Sequence, residues 1–246
     1  MLVTEKSFEG GIEMRKQITG IMLILCLLVS CVSCMQPGTS EQMQPTTTID
    51  LQIVYKNNQI CYSIIETGND TSLYLFNAAA QPIYDIYGLS ATAADLQPGM
   101  KVSLSYDGYV LETYPLQFSG VSEIRVTDLG ANSVEFLSSM ISGMFPSSIP
   151  AEIEQWEVTF SGDEFLNAKE RRALEFFLNE KWEGAAIKVE PKEEDKRKNS
   201  GRIQIATTDN GDETVTLTVN IASGLPDQAP MERTMTVHLE NGKWAM

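Results

Sequence analysis

Apolar and polar positions fall into three successive patterns along the chain. Residues 18–29 (Ile-Thr-Gly-Ile-Met-Leu-Ile-Leu-Cys-Leu-Leu-Val) form one run of twelve mostly apolar residues, short of the roughly 20 that a helix needs to cross a bilayer. Residues 36–48 are polar, aperiodic and rich in Thr, Gln and Pro, the composition of a flexible tether. From residue 49 to residue 128 short stretches alternate in the manner of half-buried strands. Residues 50–55 and 60–65 flank Lys56-Asn57-Asn58-Gln59, where asparagine tolerates the positive backbone angles of a tight hairpin. Residues 72–76 give a third run, 101–106 alternate strictly, and 121–126 close the series, with turn signals at Gln97-Pro98-Gly99 and Asp107-Gly108. Short strands punctuated by Gly and Pro predict a small β-barrel.

At Asn132 the period changes. Val134, Leu137, Met140, Ile141, Met144 and Phe145 recur at spacings of three and four, which predicts an amphipathic helix over 132–145 capped by Asn132 with Glu135 three residues on. Pro146-Ser147-Ser148-Ile149-Pro150 then breaks the chain. A strand is predicted at 155–160, and Asn167-Ala168-Lys169-Glu170 is a second capping signature ahead of Leu174, Phe177 and Leu178. Strand-like segments follow at 186–190, 202–207, 214–221 and 234–239. The expected fold is mixed and mainly β: a small barrel followed by an α+β domain with one long helix packed on an antiparallel meander. The expected divisions are 1–30 leader and signal peptide, 31–48 tether, 49–130 barrel, 131–150 helix and linker, and 151–246 α+β domain.

The first apolar run has the length of a signal-peptide core. It ends at Leu28-Val29-Ser30-Cys31, which resembles the bacterial lipobox, an aliphatic residue and two small or medium ones ahead of a cysteine. The resemblance implies that Cys31 receives a diacylglyceryl group and further acylation, such as palmitate, and becomes the first mature residue. Cys34, preceded by Cys31-Val32-Ser33, is the alternative, with cysteine where the motif has leucine. Each buried acyl methylene contributes about 0.8 kcal/mol, so several chains anchor a protein without a spanning helix. Residues 1–13 fit this address poorly, because Lys6 is outnumbered by Glu5, Glu9 and Glu13. Met14-Arg15-Lys16 is the better start, and Glu9-Gly10-Gly11 can be encoded by a purine-rich ribosome-binding tract.

In the second pattern, Asp95-Leu96, Gly99-Met100-Lys101-Val102, Tyr106-Asp107-Gly108 and Glu112-Thr113-Tyr114-Pro115-Leu116-Gln117 resemble the uncharacterised YobA-type secreted domain. Thr113 stands in place of that domain's usual serine and Leu116 in place of its alanine. The resemblance implies an OB-like barrel over about eighty residues and carries no activity. Glu112, Tyr114 and Pro115 are a candidate ligand motif, set against the simpler reading of a structural Tyr-Pro corner between strands. The ending Val237-His238-Leu239-Glu240-Asn241-Gly242-Lys243-Trp244 resembles the closing hairpin of cone-shaped nuclear-transport-factor-like and cystatin-like domains, which again implies architecture and no activity.

Charge then narrows the function. Across 246 residues, 18 basic residues face 33 acidic ones for a net charge of -15, which repels phosphate backbones. The barrel segment holds Lys56, Lys101 and Arg125 against nine acidic residues, so an OB-like fold here lacks the basic groove that single-stranded nucleic acid requires. Beyond the tether Cys61 is the sole cysteine, in an apolar run where a buried thiol is expected. The single histidine, His238, alternates with Thr236 on a strand and has no second histidine, free cysteine or serine motif to work with. The run 192–198 is of mixed sign and reads as a solvated loop. Asp209-Asn210-Gly211-Asp212-Glu213 has oxygen ligands without the spacing of a calcium loop, and Asn-Gly there reads as a hairpin. No catalytic residue, metal ligand or cofactor site is assigned.

The expectation is therefore a lipid-anchored, extracytoplasmic accessory or binding protein of the bacterial envelope. Its partner would be another envelope protein, a wall polymer or a small ligand. The alternatives are a carboxylate-based enzyme acting on glycan, which needs two acids facing one cleft, and a ligand sensor that signals through the helix at 132–145.

Overall fold

The computed structural model describes residues 46–144, 152–182, 185–195, 197, 199–225 and 229–246. Cys31, Cys34, the signal segment, most of the tether and the expected linker at 146–150 lie outside the described residues. The chain from Pro45 to Met246 forms one compact unit, mainly β, with two sheets and two α-helices among its described residues.

The first sheet has the order β5-β4-β9-β6-β1-β2-β3-β8-β7. Its strands are β1 Thr47–Asn57, β2 Ile60–Ile65, β3 Tyr74–Asn77, β4 Ile83–Tyr84, β5 Ser90–Ala91, β6 Lys101–Tyr106, β7 Val110–Leu111, β8 Leu116–Phe118 and β9 Glu123–Asp128. β1 starts inside the segment read as tether, because Thr47 and Thr48 pair with Tyr106 and Ser105. The β1–β2 hairpin turns at Asn58, whose φ of 54° is the left-handed conformation asparagine accepts. β8 runs parallel to β3 and β9 antiparallel to β6. The segment from Leu116 to Asp128 thus joins the two sides of the meander and curls the sheet around a core of Leu51, Ile53, Phe76, Val102, Leu104, Phe118 and Ile124. Cys61 is buried in that core as a free thiol.

The second sheet has the order β11-β10-β12-β13-β14-β15, with β10 Gln155–Gly162, β11 Ala186–Val189, β12 Ser200–Gly211, β13 Thr214–Ala222, β14 Met231–Glu240 and β15 Lys243–Ala245. It corrects the expected antiparallel meander: β10 is parallel to both β11 and β12, and only β12 to β15 form a meander. The parallel pairing follows from the helix that intervenes between β10 and β11, since a crossover returns the chain in the same direction. The expectation of a single helix on this sheet also changes. Helices α1 Ser133–Met144 and α2 Ala168–Lys181 both contribute to one core.

That core is shared by the two sheets. Val54 and Ile64 of the first sheet and Leu73, just ahead of β3, cluster with Leu137 and Ile141 of α1, Leu174 and Phe177 of α2, and Trp156, Ile203, Leu217 and Val237 of the second sheet. A register shift in β1 between Ile53 and Tyr55 makes this geometry available. At such a bulge, alternation is interrupted and one side chain is re-aimed; Leu51 and Ile53 face the barrel core, whereas the consecutive Val54 and Tyr55 both pack on the helix side. Tyr55 and Tyr62 then meet Phe177 with ring centroids 4.6 and 5.4 Å apart.

Polar contacts fix the same junction. The capping box at α2 is formed as expected: Asn167 accepts from the amides of Lys169 and Glu170, and Glu170 accepts from the amide of Asn167. Its other carboxylate oxygen accepts from Gln52 Nε2 of β1 at 3.1 Å, and Lys169 Nζ donates to the carbonyls of Ile65, Glu66 and Thr67. At α1 the expected cap is replaced. Asn132 Nδ2 does reach Glu135 at 3.3 Å, but Asn132 Oδ1 accepts from the backbone amide of Trp244 at 2.8 Å. The closing turn at Asn241 and Gly242 has φ of 50° and 77°. A side chain at Gly242 would meet the Gly130 carbonyl at 2.7 Å, so only glycine lets this turn pack against the start of α1.

Candidate functional site

A cleft of about 420 Å³ opens at one end of the second sheet. Asp163, Glu164 and Phe165 come from the β10–α2 connection, Thr207, Asp209 and the residues from Gly211 to Val215 from the β12–β13 hairpin, and Trp244 from β15. Three separate stretches of sequence meet because β10 and β12 are register neighbours, with Gly162 opposite Thr207. Gly162 has a φ of 85°, and a Cβ there would lie 2.0 Å from the Thr207 carbonyl oxygen, which allows no other residue.

The wall is held from within. Thr207 Oγ1 donates to the carbonyls of Ser161 and Asp163, and the Asp163 amide returns a bond to the Thr207 carbonyl at 3.0 Å. Asp163 Oδ2 accepts from the Asp209 amide and Asp209 Oδ1 from the Gly211 amide, each at 2.8 Å. The hairpin tip is Asp212-Glu213, at φ of 50° and 56°. Asn210-Gly211, expected to be the turn, sits on the strand at a bulge opposite Thr214. The Asp and Asn side chains of this loop therefore build backbone structure, the usual work of such residues in tight turns.

Those bonds divide the five carboxylates of the cleft. Asp163 and Asp209 hold backbone amides, whereas Glu164, Asp212 and Glu213 are exposed on the lining without such a duty. Phe165 and Trp244 supply an apolar wall, with centroids 5.1 Å apart and planes 43° to one another. Trp244 Nε1 donates to Ser133 Oγ at 2.9 Å, so this wall is tied to the first turn of α1. Among the described residues no group of three or more His, Cys, Asp or Glu is placed to hold a metal ion.

The sequence-predicted candidates lie elsewhere. Glu112 and Tyr114 are exposed on the segment between β7 and β8, and Pro115 is buried behind a cis Tyr114-Pro115 peptide. Thr113 Oγ1 donates to the Pro115 carbonyl at 2.6 Å, and Tyr114 packs edge-on against Phe176 of α2 at 5.6 Å. The motif thus contacts the junction of the first sheet with α2, apart from the cleft. His238 is exposed, its Nδ1 3.2 Å from Thr214 Oγ1 across the β13–β14 pair. Cys31 and Cys34 are outside the described residues. The cleft residues gave little signal in the sequence, since Phe165 and Trp244 are 79 positions apart; the Asp209–Glu213 run was visible and read as turn chemistry.

Comparison with known protein-family models and with curated proteins finds no match for this chain.

Proposed function

We propose that this chain is a lipid-anchored binding protein on the outer face of a bacterial cell membrane, acting as an accessory to envelope components. The observation that carries the binding role is the cleft itself, lined by an aromatic pair, Phe165 and Trp244, together with the exposed carboxylates Glu164, Asp212 and Glu213. Aromatic faces take up apolar ring surfaces and carboxylates pair with cations through charge-assisted hydrogen bonds. The ligand class that matches both is a cationic, ring-bearing one, such as the amino-sugar units of an envelope polymer. The lipobox resemblance at Cys31, the signal-like run before it and the acidic balance support the location. The pairing of β3 with β8 and of β9 with β6 supports an OB-like reading of the first sheet, and the Asn241-Gly242 hairpin supports a cone-like reading of the second.

Calorimetric titration with glucosamine oligosaccharides, against their N-acetylated neutral counterparts, tests the binding role. Saturable binding of the amino form is expected, weakened by added salt and by the double variant Glu164→Gln, Glu213→Gln. Equal binding of both forms, or none, refutes it.

Five carboxylates in one cleft also favour a second reading, hydrolysis of a glycan by an acid pair, which requires two carboxyl groups about 5 to 10 Å apart. Release of new reducing ends from the same oligosaccharides distinguishes it from binding alone. The link from Trp244 to Asn132 and Ser133 supports the sensor alternative, in which occupancy of the cleft is passed to α1.

A further inference from the structure

Tyr109 and Leu111 are large apolar residues left exposed, at 66 % and 46 %. They flank Val110, which packs on the barrel core, so the strand alternation sends both of them outward on the same side. The turn that presents them is braced: Asp107 accepts from the Tyr109 amide at 3.0 Å and from Ser119 Oγ at 3.1 Å, and the Ser119 amide donates to the Tyr109 carbonyl. This rim lies beside the point where the chain enters the fold. Thr47 is the register partner of Tyr106, and a Cβ on Gly108 would stand 3.2 Å from Thr47 Oγ1.

Fourteen residues separate Cys31 from Thr46. A chain of that length and of linker composition has a root-mean-square span of about 20 Å, less than the width of a 200-residue fold, about 40 Å. On the lipid-anchor reading, the tether therefore joins the fold at its Thr47 end. The other exposed apolar turn, with Ile86, Tyr87 and Leu89, follows Tyr84, which neighbours Arg125. It points toward the Asp128 end of β9, while Thr48 and Ser105 align with the Glu123 end.

We infer that Tyr109 and Leu111 form a membrane-facing rim that seats in the headgroup layer of the bilayer carrying the anchor. The inference rests on the lipid-anchor reading above. Tyrosine has an apolar ring and a polar tip, the combination enriched at membrane interfaces. Two side chains bind a bilayer weakly on their own. Anchoring converts the contact into an intramolecular one with an effective concentration near the millimolar range, which makes a small apolar rim sufficient to orient the protein. The cleft would then be presented at a fixed attitude to the envelope.

The test uses the full acylated chain in a Cys34→Ser background, reconstituted in vesicles of phosphatidylethanolamine with a minority of phosphatidylglycerol. A nitrobenzoxadiazole label is placed at Tyr109→Cys, at Leu111→Cys or, for reference, at Tyr87→Cys, which is 85 % exposed. Cys61 is buried and does not compete for the label. Blue-shifted emission and severalfold stronger quenching by a lipid-borne nitroxide are expected at 109 and 111 relative to 87. Flotation of each sample with the vesicles reports the anchor independently. A protein that floats while its 109 and 111 labels remain as unquenched as the 87 label overturns the rim and leaves the anchor standing. Labels shielded from water but unquenched from the lipid phase overturn it in favour of contact with a second copy of this chain. A chain that does not float overturns the anchor reading and the rim with it.

Discussion

Replacing Phe177 with alanine tests whether the two sheets share one core. Its side chain is nearly fully buried on α2, with ring centroids 4.6 Å from Tyr55, 5.4 Å from Tyr62 and 5.2 Å from Phe176. Removing a buried phenylalanine costs about 3 to 5 kcal/mol, part of it from the cavity left behind. The value here belongs in the upper half of that range, because three ring pairs are lost together. With a urea m-value of about 2 to 3 kcal/mol/M for a fold of this size, the midpoint should fall by about 1.5 to 2 M. Reporters are already distributed for the assay. Trp156, Trp182 and Trp244 all belong to the second half of the chain, and Cys61 is buried in the first sheet. Tryptophan emission and pulsed thiol labelling of residues 46–246 should give one coincident transition, shifted equally by Phe177→Ala. If Cys61 stayed protected in the variant after the tryptophan signal had been lost, the two sheets would be energetically separate and the shared core would be refuted.

Three further outcomes follow from the geometry. A double-mutant cycle on Gln52→Ala and Glu170→Ala should show a coupling of about 1 to 2 kcal/mol in urea unfolding, since the bond joins a carboxylate to the facing sheet; additivity would mean that it contributes nothing. Burial pushes the Cys61 thiol up from 9.0 to about 12. An acid whose folded pKa is raised binds its proton longer in the native state, so its contribution is complete below pH 9 and is lost as pH rises toward 12. Wild type should lose stability over that window by a few kcal/mol relative to Cys61→Ala, and parallel pH profiles would contradict the burial argument. Trp244→Phe removes the indole bond to Ser133 Oγ, which should lower stability by about 1 kcal/mol in thermal unfolding and weaken glucosamine oligosaccharide binding; unchanged binding would remove Trp244 from the site.

What the sequence made legible was local. β2 and β6 appear where alternation placed them, and the Asn167–Glu170 box caps α2, because side-chain period and capping depend on neighbours within a few residues. Asn132 shows where local reasoning stops: its side-chain Oδ1 is taken by the amide of Trp244, 112 residues away, and no local pattern encodes that competitor. The parallel pairing of β10 with β12 and the bulge that brings Tyr55 to the same side as Val54 are likewise tertiary choices. The cleft was least legible. It needs Gly162 against Thr207 to bring Asp163 beside Asp209, while its aromatic wall is assembled from Phe165 and Trp244, and each of these residues alone reads as an ordinary turn or core position.

The proposed lipid tether at Cys31 is open to one decisive measurement, the mass of the amino-terminal peptide of the mature protein isolated from membranes. A peptide that begins at Cys31 and carries a diacylglyceryl group with its acyl chains, absent from the Cys31→Ala variant, is the predicted result. A mature protein whose amino terminus lies elsewhere and bears no lipid would overturn the lipid tether.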